Sequence, residues 1–223
     1  PTRVGTSVGD ITAGLFTTIG INAALYHRSQ SGQGQKIDVA MLDCQIAILE
    51  NAIARYFATG QVPGPIGARH PSITPFEAYR AKDGHLIVAA GNDGLFAKLC
   101  NCIAAPALTS DPRFASNDLR TQNHDGLKIE LERAFAADTV AHWLAKLDAA
   151  GVPCGPLNNV EQALNDPQVL SRNMVVSTRD PVVGELKMAG NPIKLSAFPD
   201  PSTRGRAPDL DADRGDILAR LEA

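Results

Sequence analysis

The chain is short of the residues that mark several familiar classes of protein. It has four cysteines in 223 residues, and no two of them form a CxxC pair. Without such pairs the sequence predicts neither a disulfide framework nor a cysteine zinc site, and the thiols are expected to be reduced. The net charge is −3, and no cluster of lysine or arginine stands out. The sequence therefore gives no electrostatic footprint for a nucleic acid.

Motifs that bind cofactors or metals are also missing. No GxGxxG or P-loop pattern follows a predicted strand, and the GQGQ run at residues 32–35 is typical of a turn. His124 and His142 have no companion at metal-ligand spacing, so both are expected to be surface or capping residues. Cys154 has no histidine near it in the sequence, which favours a structural role over a nucleophilic one. We therefore expect no tightly bound cofactor and no metal.

A secretory signal is not recognisable, because the chain opens on turn residues rather than on a basic segment and an apolar stretch. The longest apolar run, residues 11–26, is interrupted by Thr12, Thr17, Thr18 and Asn22 and is short for a bilayer span. These observations predict a cytoplasmic protein without a membrane partner. With 44% hydrophobic and 20% charged residues, the chain can bury a sizeable core in one or two domains.

A turn with two glycines is followed by one carboxylate, which directly precedes a predicted apolar helix. The motif VGTSVGD ends at Asp10, and Ile11, Leu15 and Ile19 then recur at four-residue spacing. This spacing, with small residues between, predicts a buried helix over residues 11–26. Asp10 is predicted at its N-cap, where it accepts backbone N–H bonds and where the helix dipole favours negative charge. A plain helix cap is the alternative to a functional carboxylate.

The remaining secondary structure follows from periodicity and from glycine and proline signals. A Lys-Asp-Gly turn over residues 82–84 predicts a β-hairpin. Gly60 and Gly151 are predicted to end helices. Predicted helices cover residues 42–59, 94–103, 119–136, 140–150 and a stretch after 213, and predicted strands cover residues 37–41, 76–80, 85–90, 174–177 and 185–188.

Two polar residues stand out in the stretch of residues 61–74, which is rich in glycine and proline. Arg69 offers a guanidinium that can bind a carboxylate through two parallel hydrogen bonds, and His70 can titrate near neutral pH. Both are candidate substrate-binding residues. The alternative is that both are solvated loop residues.

The ordered set of short motifs along the chain resembles the family III CoA-transferases, which include formyl-CoA transferase and the carnitine and bile-acid-inducible CoA-transferases. VGTSVGD opens the set, and the motifs together cover almost the whole chain. The other matching segments are residues 23–28, 31–35, 37–43, 70–71, 83–84, 91–92, 111–114, 151–156, 166–167 and 190–193.

The resemblance implies a chemistry for the first motif. In this family the aspartate at the position of Asp10 is the nucleophile, and it forms covalent intermediates while CoA moves from an acyl-CoA to a carboxylic acid. CoA esters are then substrates rather than bound cofactors. Backbone N–H groups at the helix start, with Gly5 and Gly9 allowing close approach, are candidates to stabilise an oxyanion.

The resemblance also implies an α/β fold of which this chain is the C-terminal part. Residues 1–60 correspond to a large-domain piece with the nucleophile motif, and residues 61–74 to a linker or active-site loop. Residues 75–168 correspond to a small α+β domain, and residues 169–223 to a return connection and C-terminal large-domain segment. Relatives carry the CoA-binding region upstream and form interlinked dimers. We therefore expect a homodimer, or association with an N-terminal portion through uncovered apolar faces.

Some residues depart from the family pattern. The loop has only Gly64 and Gly67 rather than the tetraglycine run of formyl-CoA transferases, which weakens that substrate assignment, and the tail over residues 208–218 keeps few family positions. Small dicarboxylic or hydroxy acids are the expected acceptors. One alternative is an α-methylacyl-CoA racemase, which shares the fold and uses this aspartate in proton transfer. A second is a non-catalytic assembly or truncated subunit.

Overall fold

The computed structural model describes residues 4–221. The chain divides into two compact units, Pro1–Pro71 and Ser72–Ala223. Their boundary falls inside the stretch of residues 61–74 that the sequence predicts as a linker or loop. The finer division into four segments stays a prediction.

The first unit begins with one long helix. Helix α1, Val8–Ser31, ends where Gly32 takes the left-handed conformation with a φ of 72° and its N–H bonds to the Arg28 carbonyl. Glycine adopts this conformation without a steric penalty, so it ends the helix cleanly. The helix thus starts three residues before the predicted range and continues beyond its predicted end.

Two short helices follow where the sequence predicted a strand and one helix. Helix α2 spans Met41–Ala47 and helix α3 spans Glu50–Thr59, with Gly60 in the left-handed conformation at the end of α3. The stop at Gly60 is confirmed, but the single helix over residues 42–59 is wrong, because the chain turns at Ile48 and Leu49. The predicted strand at residues 37–41 is also wrong, because among residues 4–221 no strand pairs with this alternating segment.

The apolar side chains of the first unit are mostly exposed. No side chain of α1 or α3 is buried, and α2 buries only Cys44. Leu15 is 58% exposed and Ile19 is 63% exposed. The helix that the sequence predicts as buried over residues 11–26 is thus exposed within residues 4–221, which agrees with the expectation of uncovered apolar faces.

Helix α1 is the one helix in the described part of the chain that is long and apolar enough to cross a membrane, judged by length and composition. It has 24 residues and a mean hydropathy of 1.3 over its most apolar window. The expectation that this helix is too short for a bilayer span is wrong, because the helix extends beyond residues 11–26 at both ends. Helices from the cores of globular proteins pass the same test.

The second unit contains a three-stranded antiparallel sheet. Its strands are β1, Phe76–Arg80, β2, His85–Ala89, and β3, Cys154–Pro156, with β2 in the centre. Arg80 pairs with His85 across the turn, so the predicted hairpin is confirmed. Alternate residues of β1 and β2 are buried, as expected for a sheet with one face on a core.

Helices pack on this sheet. They are α4, Asp93–Cys102, α5, Asn117–Gln122, α6, His124–Phe135, and α7, Val140–Ala149, with a short 3-10 helix over Pro106–Thr109. The predicted helix over residues 119–136 is divided at Asn123, whose φ of −103° and ψ of 28° interrupt it. Gly151 has a φ of 67° just after α7, and the predicted stop there is confirmed.

A continuous apolar core joins the sheet to these helices. Leu86, Val88, Leu99 and Leu127 have no exposed surface. Trp143 also belongs to this core, since it is 5% exposed and donates its indole N–H to the Phe135 carbonyl at 2.8 Å.

The rest of the second unit is smaller and more open. Short helices α8, Val160–Leu164, and α9, Pro167–Ser171, precede a sheet in which β4, Val175–Asp180, lies between β5, Gly184–Ala189, and β6, Thr203–Arg204. The chain then forms α10, Arg214–Leu221. The two predicted strands and the predicted last helix are confirmed with longer strand bounds.

Candidate functional site

Asp10 lies in the first turn of α1, as the third residue of the helix. The prediction that it forms the N-cap is wrong, because the helix starts at Val8 and Ser7 occupies the N-cap. Ser7 makes no side-chain cap hydrogen bond. The Asp10 side chain is exposed, and no hydrogen bond or ion pair holds its carboxylate within residues 4–221.

Two backbone N–H groups beside this carboxylate have no acceptor in the described part of the chain. The first bond into the helix runs from the Ile11 N–H to the Ser7 carbonyl at 3.0 Å, and the Val8 N–H bonds to Thr6 at 2.9 Å. The N–H groups of Gly9 and Asp10 have no such partner among residues 4–221. The start of α1 therefore combines a carboxylate with two open donors and the positive end of the helix dipole.

Helix α2 packs against this first turn. Gln45 Nε2 donates to Thr12 Oγ1 at 2.8 Å, and the bond is partly buried. A β-carbon at Gly9 would lie 3.6 Å from Met41 Cε and 3.8 Å from Gln45 Nε2. Position 9 thus has space for a methyl group at van der Waals contact and little more.

Arg69 and His70 are half-buried in the loop that follows α3. Gly67 precedes them with a φ of 71°. Arg69 forms no ion pair with Asp10 in the region that the structure describes. The substrate-binding role of both residues stays a prediction.

The prediction that His124 is a surface or capping residue is wrong, and Asn123 occupies the N-cap of α6. His124 is only 9% exposed, and its Nε2 lies 3.1 Å from Glu77 Oε1 while its Nδ1 lies 2.8 Å from Asp125 Oδ1. Lys128 Nζ donates to the same Glu77 oxygen at 3.0 Å. The group links β1 to α6, and Glu77 at a core-facing position of a strand was the available signal. His142, by contrast, is exposed near Asp138, as predicted.

A buried arginine was missed altogether. Arg120 has no exposed surface, and its guanidinium donates to the carbonyls of Thr74, Phe114 and Gly91 and to the Asp93 carboxylate. These bonds fix the segment that opens the second unit. An arginine inside a short polar helix gives no sequence signal for such burial.

Two of the four cysteines, Cys100 and Cys154, have raised thiol pKa values. Burial raises the pKa of the Cys100 thiol to about 11. The pKa of Cys154 is also raised, first by burial and then by the nearby Asp148 carboxylate, and its Sγ lies 3.8 Å from the Leu144 carbonyl. Thiols with raised pKa values are poor nucleophiles at neutral pH, which agrees with the predicted structural role of Cys154.

One pocket in the first unit lies beside α1 and α2, with a volume of about 220 Å³ and Phe16, Asp38, Asp43 and Cys44 in its wall. Its two carboxylates repel an anionic substrate, so we assign no substrate to it. Within residues 4–221, no three His, Cys, Asp or Glu side chains lie together as a metal site would require.

Comparison with known proteins identifies the relatives of this arrangement. The sequence profile described as CoA-transferase family III matches residues 1–214. The acetyl-CoA:oxalate CoA-transferase of Acetobacter aceti is 45% identical over 95% of this chain and 53% of its own length. The succinate–glutarate CoA-transferase of Agrobacterium fabrum is 35% identical over 100% of this chain and 55% of its own length. The chain thus spans about half the length of these curated relatives.

The fold has a counterpart among solved structures. The crystal structure of a CAIB/BAIF family protein from Brucella suis is 34% identical in sequence and superposes with a TM-score of 0.79. The match covers 99% of this chain and 57% of that protein. The mixed arrangement of helices and strands described above is therefore about half of such a structure.

Proposed function

The chain belongs to CoA-transferase family III, and we propose that it moves CoA from an acyl-CoA donor to a carboxylic acid acceptor through covalent intermediates on Asp10. The observation that carries this proposal is the exposed Asp10 carboxylate in the first turn of α1, beside two N–H groups without an acceptor in the described chain. A nucleophile needs access to its substrate, and an acyl transfer needs donors for the oxyanion. The start of α1 supplies both.

The proposed reaction begins with attack of an Asp10 oxygen on the thioester carbonyl of the donor. The carbon–sulfur bond breaks, CoA leaves as a thiolate, and an aspartyl mixed anhydride remains. The thiolate then attacks the Asp10 carbonyl carbon, releases the donor carboxylate with one former Asp10 oxygen, and leaves an aspartyl-CoA thioester. The whole exchange needs no oxidant, reductant or metal.

The second half of the reaction repeats these steps in reverse order. An oxygen of the acceptor carboxylate attacks the aspartyl thioester, and CoA thiolate leaves again. The thiolate then attacks the acceptor carbonyl of the new anhydride. The acceptor departs as its CoA ester, and one of its oxygens stays on Asp10.

Each carbonyl addition places negative charge on an oxygen close to Asp10. We assign the N–H groups of Gly9 and Asp10 to the stabilisation of that charge, since both are open donors in the described chain. The missing side chain of Gly9 faces Met41 and Gln45, so it allows the close approach of α2 to this turn.

We assign the acceptor carboxylate to Arg69 and the neighbouring His70. A guanidinium can bind a carboxylate in two parallel hydrogen bonds. The names of the relatives, an oxalate and a glutarate CoA-transferase, support small dicarboxylic acids as the first acceptors to test. Acetyl-CoA and succinyl-CoA are the corresponding first donors.

We propose further that the open apolar faces of α1 and α3 are covered in the working enzyme. Leu15, Ile19 and Phe57 are 58%, 63% and 80% exposed here, and relatives have about as much chain again outside the matched region. A face of this extent favours association. Its occupant in the proposal is an N-terminal portion of the enzyme, together with a second copy in a homodimer, and that portion provides most contacts to CoA.

The test is mass spectrometry of the natural protein that carries this sequence, under native and denaturing conditions, after exposure to each donor. We expect a covalent adduct that hydroxylamine removes, and no adduct in Asp10→Ala. Asp43→Ala is the matched control, because Asp43 is the third residue of α2 as Asp10 is of α1 and is likewise exposed.

An adduct that persists in Asp10→Ala contradicts the assignment of the nucleophile. A wild-type protein that binds CoA, forms no adduct and exchanges the α-proton of a branched acyl-CoA contradicts transferase activity and favours the racemase. Failure to bind CoA in the complete assembly favours a non-catalytic subunit.

A further inference from the structure

We propose that Gln45 is a positioning residue for Asp10 and acts through the hydroxyl of Thr12. This inference rests on the proposed function, because it concerns the placement of the nucleophile. The observation behind it is a partly buried hydrogen bond from α2 to the first turn of α1, between residues that lie 33 positions apart in the sequence.

The contact forms a short chain of hydrogen bonds. Gln45 Nε2 donates to Thr12 Oγ1 at 2.8 Å. The Thr12 hydroxyl in turn lies 2.8 Å from the Val8 carbonyl and 3.1 Å from the Gly9 carbonyl, to which it donates. Both carbonyls belong to the turn that carries Asp10. Helix α2 thus helps to fix the backbone of Val8 and Gly9, which directly precede Asp10.

The first turn of α1 is not stabilised by an N-cap side chain, so a contact from another helix is needed to hold it in place. Helix ends fray unless side chains satisfy their open backbone groups, and Ser7 at the N-cap makes no side-chain hydrogen bond. Met41, on the same face of α2, approaches this turn as well, because its Cε lies 3.6 Å from the place where a β-carbon of residue 9 would be. Together these contacts hold the turn against α2 while its N–H groups stay open to a substrate.

Elsewhere in the same helix, a similar threonine has no such partner. Thr18 Oγ1 donates to the Gly14 carbonyl at 2.9 Å in an exposed part of α1. Its local bond repeats that of Thr12, but among residues 4–221 no side chain from another element bonds to it. Thr18→Val is therefore a matched control for Thr12→Val.

Loss of the bridge lets the turn move, and the carboxylate then spends less time in line with the thioester. A displacement of the reacting group by a fraction of an ångström costs about 10-fold in rate. Binding of the acyl-CoA is unaffected, since neither side chain is assigned a substrate contact. We expect the rate of adduct formation to fall about 10-fold in Gln45→Ala and in Thr12→Val, with an unchanged dissociation constant for the donor.

The experiment measures single-turnover adduct formation by rapid quench in the natural protein that carries this sequence, together with amide hydrogen exchange over residues 8–12. Gln45→Ala, Thr12→Val and the double variant are compared with Thr18→Val. The double variant should be no slower than either single one, because both changes break the same bridge. Thr12→Ser keeps the hydroxyl and should restore the rate, and exchange over residues 8–12 should rise only in the slow variants.

The results separate this inference from the proposed function. An Asp10-dependent adduct that forms at the wild-type rate in Gln45→Ala overturns the inference and leaves the function standing. Additive losses in the double variant, or an equal loss in Thr18→Val, overturn it as well, since a general weakening of α1 would then explain the effect. A wild-type protein with no adduct at Asp10 overturns both.

Discussion

The two units of the chain differ in how they use their apolar residues. In the second unit, Leu86, Leu99 and Leu127 are wholly buried between a sheet and its helices. In the first unit, Leu15 and Ile19 are more than half exposed, and Cys44 alone is buried in α2. A unit with its own core stabilises itself, whereas an open apolar helix depends on an additional surface. The candidate nucleophile therefore belongs to the unit that is less complete by itself.

This difference predicts the outcome of separating the units, which is the largest effect that we expect. Residues 72–223 expressed alone should unfold in one cooperative thermal transition, because they contain the core. Residues 4–71 alone should show weak, non-cooperative helical signal or associate. Circular dichroism and amide NMR dispersion measure both. If residues 4–71 alone folded cooperatively as a monomer, the first unit would not depend on an additional surface, and the proposed difference between the units would be wrong.

The next largest effect is expected from the loss of the buried Arg120 in the second unit. Arg120→Met removes bonds to two buried carbonyls, to the partly buried Gly91 carbonyl and to Asp93, and we expect a loss of about 3–5 kcal/mol in the free energy of unfolding. Urea unfolding followed by the fluorescence of Trp143, the only tryptophan, measures it.

Arg113→Met is the control for this variant. Arg113 is 56% exposed and pairs with Asp111 at 2.7 Å, so its removal should leave the unfolding midpoint nearly unchanged. If Arg120→Met and Arg113→Met lowered the free energy of unfolding equally, burial would not explain how much Arg120 stabilises the fold.

A matched pair of leucine substitutions compares the two units directly. Leu127 has no exposed surface, and Leu127→Ala should cost about 2–5 kcal/mol through lost contacts and a cavity. Leu15 is 58% exposed, and Leu15→Ala should change the free energy of unfolding of the 223-residue chain by no more than about 0.5 kcal/mol. Urea unfolding by circular dichroism measures both, and similar costs would contradict the contrast between the units.

The smallest effect is a pH dependence at the edge of the second unit. Hydrogen bonds from Lys194 and then Arg204 lower the pKa of Asp200 from 3.8 to about 2. Because the folded pKa is lowered, the stabilisation is fully present above pH 3.8 and is lost as the pH falls through about 2. Asp200→Asn should flatten the acid limb of the unfolding midpoint, and Asp209→Asn, which leaves these partners in place, should not.

Local sequence signals predicted much of this fold. The Lys-Asp-Gly turn predicted the hairpin because a two-strand connection depends on a few residues. Gly60 and Gly151 ended helices because both have a positive φ, which glycine adopts freely. The position of Asp10 near the start of α1 followed from the apolar spacing, although the helix began earlier and the N-cap was Ser7.

The errors arose where distant contacts decide the structure. An alternating segment at residues 37–41 forms a strand only beside another strand, and none pairs with it in the described chain. His124 became buried because Glu77 and Lys128, from β1 and α6, meet it in space. Likewise, the bond between Gln45 and Thr12 joins two helices and leaves no local pattern.

Transfer of oxygen from the acceptor to Asp10 shows whether Asp10 carries the covalent intermediates. The natural protein is turned over with acetyl-CoA and a dicarboxylic acceptor whose carboxylates contain heavy oxygen, and its peptides are then analysed by mass spectrometry. The proposed reaction leaves one acceptor oxygen on Asp10 and then delivers it to the released donor carboxylate. Heavy oxygen on the Asp10 peptide and in the released acetate is the predicted result. Formation of the acceptor CoA ester with no heavy oxygen on Asp10 would mean that the covalent intermediates do not form on Asp10.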